Sequence, residues 1–332
     1  MRRERFHNKL SKSSATLVIA AVIALLMWWW PAGAYSLSGL GSLALTLFVG
    51  YMLIETDIVF QLLRVHSRMI ASVWLVFAAC VASFHTYQPS LIAVACMAVS
   101  YHLLFSTYQL PQSSVDTFHS YAFLSLGGIF YPPMLLFVPF YLWYQIIFMR
   151  SMSLRTLSAA LIGVIAPFWF WAVWMLVHED MAPIVVWWDN LGFDDFSLSS
   201  FLSMWTSEFL YSHIDFFVFS FLGIFTSISY LYSSFDDKIR TRMMLYIYVF
   251  QFVVTFLIAM WQPSEVEALL PLLLLNVSVV VAHYFTFRWS WFSVLMFIVS
   301  ILALITLALV KIYGNVPFIS EYLTIFARLI EK

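Results

Sequence analysis

Charge is what this chain of 332 residues lacks most: Asp, Glu, Lys and Arg together make up 10% of it, against 63% hydrophobic residues. A soluble domain carries about 25% charged and 45–50% apolar residues. A globular fold with a polar exterior is therefore excluded. The net charge is −1, so no general basicity points to nucleic acid. There are ten glycines, few for a transporter built from flexible, broken helices. The two cysteines, Cys80 and Cys96, lie in apolar stretches and read as small buried hydrophobes. They provide neither a disulfide framework nor metal spacing, and no metal or cofactor is expected. Walker A, nucleophile-elbow, paired-histidine zinc and GxGxxG motifs are also missing.

What remains is long apolar runs rich in aromatics. Mean hydropathy is +0.91, and 19% of the residues are aromatic, including 14 Trp and 33 Phe. Such rings anchor spans at the two membrane interfaces. The expectation is an all-α, polytopic integral membrane protein with about eleven membrane segments, each needing about 20 mostly apolar residues. Ala15–Trp30 is expected as a retained first span despite its signal-peptide-like Ala32-Gly33-Ala34, because Trp28-Trp29-Trp30-Pro31 puts bulky rings before that site. Leu37–Ile54, Met69–Phe84 and Leu91–Tyr108 follow. Tyr121–Tyr131 and Met134–Met149 flank a break at Pro132-Pro133, where two amide donors are lost and the preceding residues are restricted. Leu157–Val177, Phe209–Tyr232, Met243–Trp261, Ala268–Phe285 and Trp289–Ile312 complete the set. Residues 1–14 are expected as a cytoplasmic N-terminus, 15–312 as a single transmembrane domain, 178–208 as an external acidic loop, and 313–332 as an external amphipathic tail.

Lys and Arg set the orientation. With the N-terminus inside, Arg2, Arg3, Arg5, Lys9, Lys12, Arg64, Arg68, Arg150, Arg155, Lys238, Arg240, Arg242 and Arg288 fall on the inner side. Lys311, Arg328 and Lys332 fall outside, a division of 13 against 3. One crossing between Tyr121 and Met149 would reverse everything after it, so that region is expected to cross twice or to dip and return.

Few residues are placed to carry chemistry. Ionisable groups at membrane depth are costly and mark functional candidates. Glu208, Tyr211 and Asp215 fall three and four apart, which predicts one shared helical face able to hold a proton or a cation. A histidine can shuttle protons or bind metal, but His102 and His283 have no acidic or thiol partner at ligand spacing. With Asn276 and Gln251 they also suit hydrogen bonding between helices. Glu55 and Asp57 are positioned to pair with Arg64 or Arg68. The external loop holds Glu179, Asp180, Asp189, Asp194, Asp195 and Glu208 with no Lys or Arg among them. Its aspartate spacing does not match a calcium loop. The carboxylates are expected to splay apart, with Trp187 and Trp188 at headgroup level.

Phe118–Met149, FHSYAFLSLGGIFYPPMLLFVPFYLWYQIIFM, is followed by the basic turn Arg150 to Arg155 and then by Leu157–Trp174. With Asp116 and Phe118 ahead of it, this middle third resembles an uncharacterised family of multi-pass inner-membrane proteins of Gram-negative bacteria. The same helix with small, Gly, aromatic and Pro residues, then a basic turn, is similar to membrane glycosyltransferases that use polyprenyl-phosphate sugars. Those enzymes carry an acidic residue in the first external loop; here that loop, Pro31–Ser36, has no carboxylate.

Three functions compete. The first is a non-enzymatic bacterial inner-membrane scaffold or subunit in envelope assembly, whose partners are lipids and a membrane protein. The second is a lipid-linked-sugar glycosyltransferase with Asp189, Asp194 or Asp195 as its acids. The third is a secondary transporter with a polar pathway through Asp215, His102, His283 and Glu208.

Overall fold

The structure is a computed structural model. It describes residues 15–29, 36–65, 67–179, 181–191, 206–288 and 290–311. Among these residues the fold is entirely helical, with no strand and 13 α-helices. In chain order they are α1 (Ala15–Trp29), α2 (Leu37–Phe60), α3 (Met69–Cys80), α4 (Pro89–Ser106), α5 (Ser114–Phe130), α6 (Val138–Tyr144), α7 (Leu154–His178), α8 (Ala182–Leu191), α9 (Ser207–Ser212), α10 (Ile214–Ser233), α11 (Ile239–Trp261), α12 (Val266–Phe287) and α13 (Trp291–Lys311).

Eight segments are long and apolar enough to cross a membrane: Leu37–Phe60, Pro89–Ser106, Pro132–Met149, Leu154–His178, Ile214–Asp236, Ile239–Trp261, Pro263–Phe287 and Trp291–Leu309. The other three expected spans are shorter. Ala15–Trp28 and Met69–Cys80 are apolar, but the 12 residues of α3 rise only about 18 Å at 1.5 Å each, against a hydrocarbon core about 30 Å thick. The 17 residues of α5 reach about 25 Å.

The chain leaves helical geometry at Tyr131, with φ −138° and ψ 94°. A 3₁₀ turn over Pro132–Phe137 follows, then α6, then a π turn over Gln145–Met149. Tyr131 and Met134 thus fall on different segments, because neither proline can donate an amide and Pro132 disfavours α-helical geometry at Tyr131. At the end of this unit Arg150 adopts a left-handed conformation (φ 51°). Ser153 and Thr156 then start α7 with a reciprocal capping box.

Three sequence-based boundaries change. α2 runs past Ile54 to Phe60, so Glu55 and Asp57 are helical, and Gln61 ends the helix in a left-handed conformation (φ 53°). α3 stops at Cys80 and passes into a short 3₁₀ turn, Ala82–His85. The span expected over Phe209–Tyr232 is interrupted at His213, with φ −116° and ψ 31°. There the ring stacks on Phe209 at 4.2 Å and its Nδ1 lies 2.8 Å from the Ser212 hydroxyl. Tyr211 and Asp215 therefore sit on different helices, and the single face predicted for Glu208, Tyr211 and Asp215 does not form. The amphipathic tail and residues 1–14 lie outside the described residues.

In lipid the hydrophobic effect does not draw helices together, so close packing and hydrogen bonds must. α5 lies between α4 and α7. Ser100 and Ser120 each donate to the other's backbone carbonyl, at 2.8 and 2.9 Å, and Ser125 donates to the Val164 carbonyl. Gly163 permits the approach of α7: a Cβ there would stand 2.5 Å from the Phe118 carbonyl oxygen. α12 runs through the centre, against α3, α4, α10 and α11, with 94% of its apolar window buried.

Candidate functional site

Gln61 turns the chain at the end of α2, and the Leu63 amide donates back to Asp57 Oδ1 at 2.8 Å. Asp57 is thereby committed to its own helix end. The expected pairing with Arg64 is replaced by another: Arg64 reaches the turn between α10 and α11, placing both Nε and Nη2 2.6 Å from Asp237 Oδ1. On the other side of this carboxylate, Oδ2 lies 3.1 Å from Nε2 of His283 on α12. The Asp237 side chain is 1% exposed and that of Arg64 40%. Burial alone would raise the Asp237 pKa; contact with His283 and Arg64 outweighs it and holds the carboxyl below its ordinary value.

Aromatic rings wall the cluster. Tyr230 stands edge-on to His283 at 4.9 Å, Phe287 lies 4.7 Å from the same ring, and the Arg64 guanidinium sits 5.6 Å over Phe287. Further cations gather at this end. Arg240 lies over Phe60 at 5.4 Å, Arg242 over Phe235 at 5.8 Å, and Arg288 Nη2 donates to the Ser229 carbonyl at 3.1 Å. Ser229 lies near the C-terminal end of α10, where the helix dipole favours a cation.

Two cavities flank Arg64. One, about 270 Å³, is bordered by Asp57, Gln61, Ser67 and Arg68 below Leu53, Ile54 and Ile70. The other, about 250 Å³, is bordered by Tyr230, Ser233, Asp236, His283 and Arg288, with Tyr284 and Phe287. A third, about 410 Å³, is an apolar groove between Leu136, Pro139 and Phe140 on one side and Val254, Leu257 and Trp261 on the other.

The residues singled out in the sequence are scattered over this frame. His102 lies on α4 near the basic end, its Nδ1 3.1 Å from the Thr56 hydroxyl. The same hydroxyl lies 2.7 Å from the Met52 carbonyl oxygen, to which it donates. His283 is joined to Asp237, a partner that separation along the chain concealed. Asp215 lies at the other end of α10 from Tyr230, about 22 Å away at 1.5 Å per residue, and accepts from the Phe216 amide. Asp215 and His283 therefore do not share a site. Asp194 and Asp195 lie outside the described residues; Asp189 falls in α8 and Glu208 in α9, and neither side chain is among those described. Trp187 Nε1 donates to the Gly128 carbonyl at 2.9 Å and its ring packs on Phe168 and Trp171. Trp188 is 68% exposed. Among the described residues no three His, Cys, Asp or Glu side chains converge as a metal site.

Three pairs of polar side chains join helices in the bundle interior. Tyr101 donates to Asn276 Oδ1 at 2.8 Å, Tyr144 to Gln251 at 2.9 Å and Tyr121 to Gln145 at 3.1 Å. Asn276 and Gln251 thus serve as interhelical hydrogen-bonding residues.

Fold and packing define a polytopic helical membrane protein with a buried charged cluster at its basic end. No family model, curated protein or solved structure matches the chain.

Proposed function

We propose that the chain is a non-catalytic, multi-pass component of a bacterial inner membrane, a scaffold or subunit in envelope assembly, with its N-terminus and the Arg64–Arg288 end in the cytoplasm. The pairing of polar side chains inside the bundle carries this reading. A carrier that alternates access holds its substrate site near mid-depth, between moving halves. Here the interior polar groups are joined as Tyr101–Asn276, Tyr144–Gln251 and Tyr121–Gln145. The two polar cavities flank Arg64 at one end. The division of Lys and Arg supports the orientation.

α7 offers a surface for assembly. Only 17% of its apolar window is buried, and Trp169, Phe170, Trp174 and Val177 are exposed along it. Lipid covers such a face in an isolated chain; a partner helix covers it in a complex. A photocrosslinking residue placed at Trp169 or Phe170 in cells tests this. The scaffold reading expects one discrete membrane-protein adduct, reproduced at both positions and lost with a crosslinker at the buried Ala160. Lipid adducts alone at every exposed α7 position, or turnover of a lipid-linked sugar by the purified chain, would overturn it.

A further inference from the structure

The cavity between α10, α12 and the Arg64 segment gathers hydrogen-bond donors of one kind. Two guanidiniums, Arg64 and Arg288, border it together with the Tyr230 hydroxyl and the His283 ring, while the Ser233 hydroxyl at its edge donates back to the Ser229 carbonyl. Both Arg64 nitrogens that meet Asp237 converge on the same oxygen, Oδ1. The rest of that guanidinium remains half open. Arg288 Nη2 donates to the Ser229 carbonyl, and its side chain lines the cavity. Tyr230 is 3% exposed; its hydroxyl sits beside Asp237 yet makes no well-formed hydrogen bond. A buried phenol is costly unless its hydroxyl is well hydrogen-bonded. Asp237 does not offset this donor set, since its carboxylate is withdrawn from the surface and paired with Arg64 and His283. Asp236 is the opposing charge, exposed at the rim.

The volume, about 250 Å³, is several times the ~30 Å³ share of one liquid water and admits a tetrahedral oxyanion. Arginine forks match such an anion geometrically, and charge-assisted hydrogen bonds are the strong ones. Lys238, Arg240 and Arg242 follow within the next turns of chain and add to the positive field at this end.

We propose that this cavity binds a phosphoryl group, held by Arg288 and the open side of Arg64 and completed by the Tyr230 hydroxyl. The group reaches the cavity either as the phosphomonoester headgroup of an anionic lipid or as soluble phosphate.

The test uses the full chain in neutral detergent. Native mass spectrometry measures retention of phosphatidic acid against phosphatidylcholine, and calorimetry measures binding of inorganic phosphate. The expected result is preferential retention of phosphatidic acid, weakened about tenfold in Arg288→Gln, the loss of one charge-assisted bond. Asp236→Asn removes the rim repulsion and tightens binding; Tyr230→Phe weakens it. These two variants keep the test intact where Arg288→Gln folds poorly. Phosphate that displaces the lipid with the same dependence on Arg288 and Asp236 identifies a soluble anion as an occupant. Retention that phosphate does not displace identifies the lipid headgroup. Equal retention of the two lipids without phosphate binding, or binding indifferent to both Asp236→Asn and Tyr230→Phe, overturns the proposal.

Discussion

His283 Nε2 stands 3.1 Å from Asp237 Oδ2, and Arg64 holds the other oxygen of the same carboxylate. One side chain thus ties the segment after α2, the turn between α10 and α11, and the central helix α12. Removing one partner of a fully buried pair costs about 3–5 kcal/mol because a charge is left uncompensated. Arg64 is partly open to solvent, which screens its share. Asp237→Asn is therefore expected to lose about 1–3 kcal/mol, read as a lowered melting temperature of the purified protein. In a double-mutant cycle with Arg64→Gln the losses should be strongly non-additive. Additive losses would show that the contact contributes nothing.

The same cluster sets a pH dependence. Asp237 titrates below its ordinary value in the folded chain. Its contribution is present above the unfolded pKa, about 4, and is lost as pH falls through the lower folded pKa. Thermal stability scanned from pH 7 downward should show a constant deficit of Asp237→Asn until about pH 4, then a shrinking one. A deficit that vanishes between pH 7 and pH 5 would contradict this.

Gly163 tests the close packing of α5 on α7. A Cβ there meets the Phe118 carbonyl oxygen at 2.5 Å and Tyr121 Cβ at 3.1 Å. Backbone cannot yield as a side-chain end can, so Gly163→Ala should destabilise by about 1–3 kcal/mol and Gly163→Val by more. Unchanged melting of both variants would place α7 elsewhere.

The Tyr101–Asn276 bond is the interior counterpart. Tyr101→Phe leaves a buried amide oxygen without its donor, and such interhelical bonds contribute about 0.6 kcal/mol on average and about 1.7 at most. Asn276→Leu added to Tyr101→Phe should recover much of the loss, because no polar group then remains unpaired. A double variant less stable than the sum of the singles would sink this account.

Fold class was legible because hydropathy and the scarcity of charge act over long windows. The Pro132-Pro133 break was legible because proline acts on its own backbone. Boundaries were less so: α2 carries Glu55 and Asp57 beyond the apolar run because Asp57 accepts from Leu63 and Gln61 closes the helix. The interruption at His213 has no glycine or proline to announce it. His283 read as a lone histidine because its partner comes from another loop, and periodicity carries no information about which loops meet. Trp187 carried the composition of an interface anchor, and its bond to the Gly128 carbonyl was not legible because that acceptor lies on another helix. The signal for Asp237 was present in Asp236-Asp237-Lys238, a pair of acids amid the basic residues of one end.

The most direct measurement is cysteine accessibility at two exposed positions on opposite sides of the proposed membrane. Met181→Cys lies between α7 and α8, and Lys238→Cys lies one residue from Asp237. In intact spheroplasts an impermeant thiol reagent should label Met181→Cys and leave Lys238→Cys untouched until the membrane is opened. Labelling of Lys238→Cys in intact spheroplasts, with Met181→Cys protected, would contradict the account.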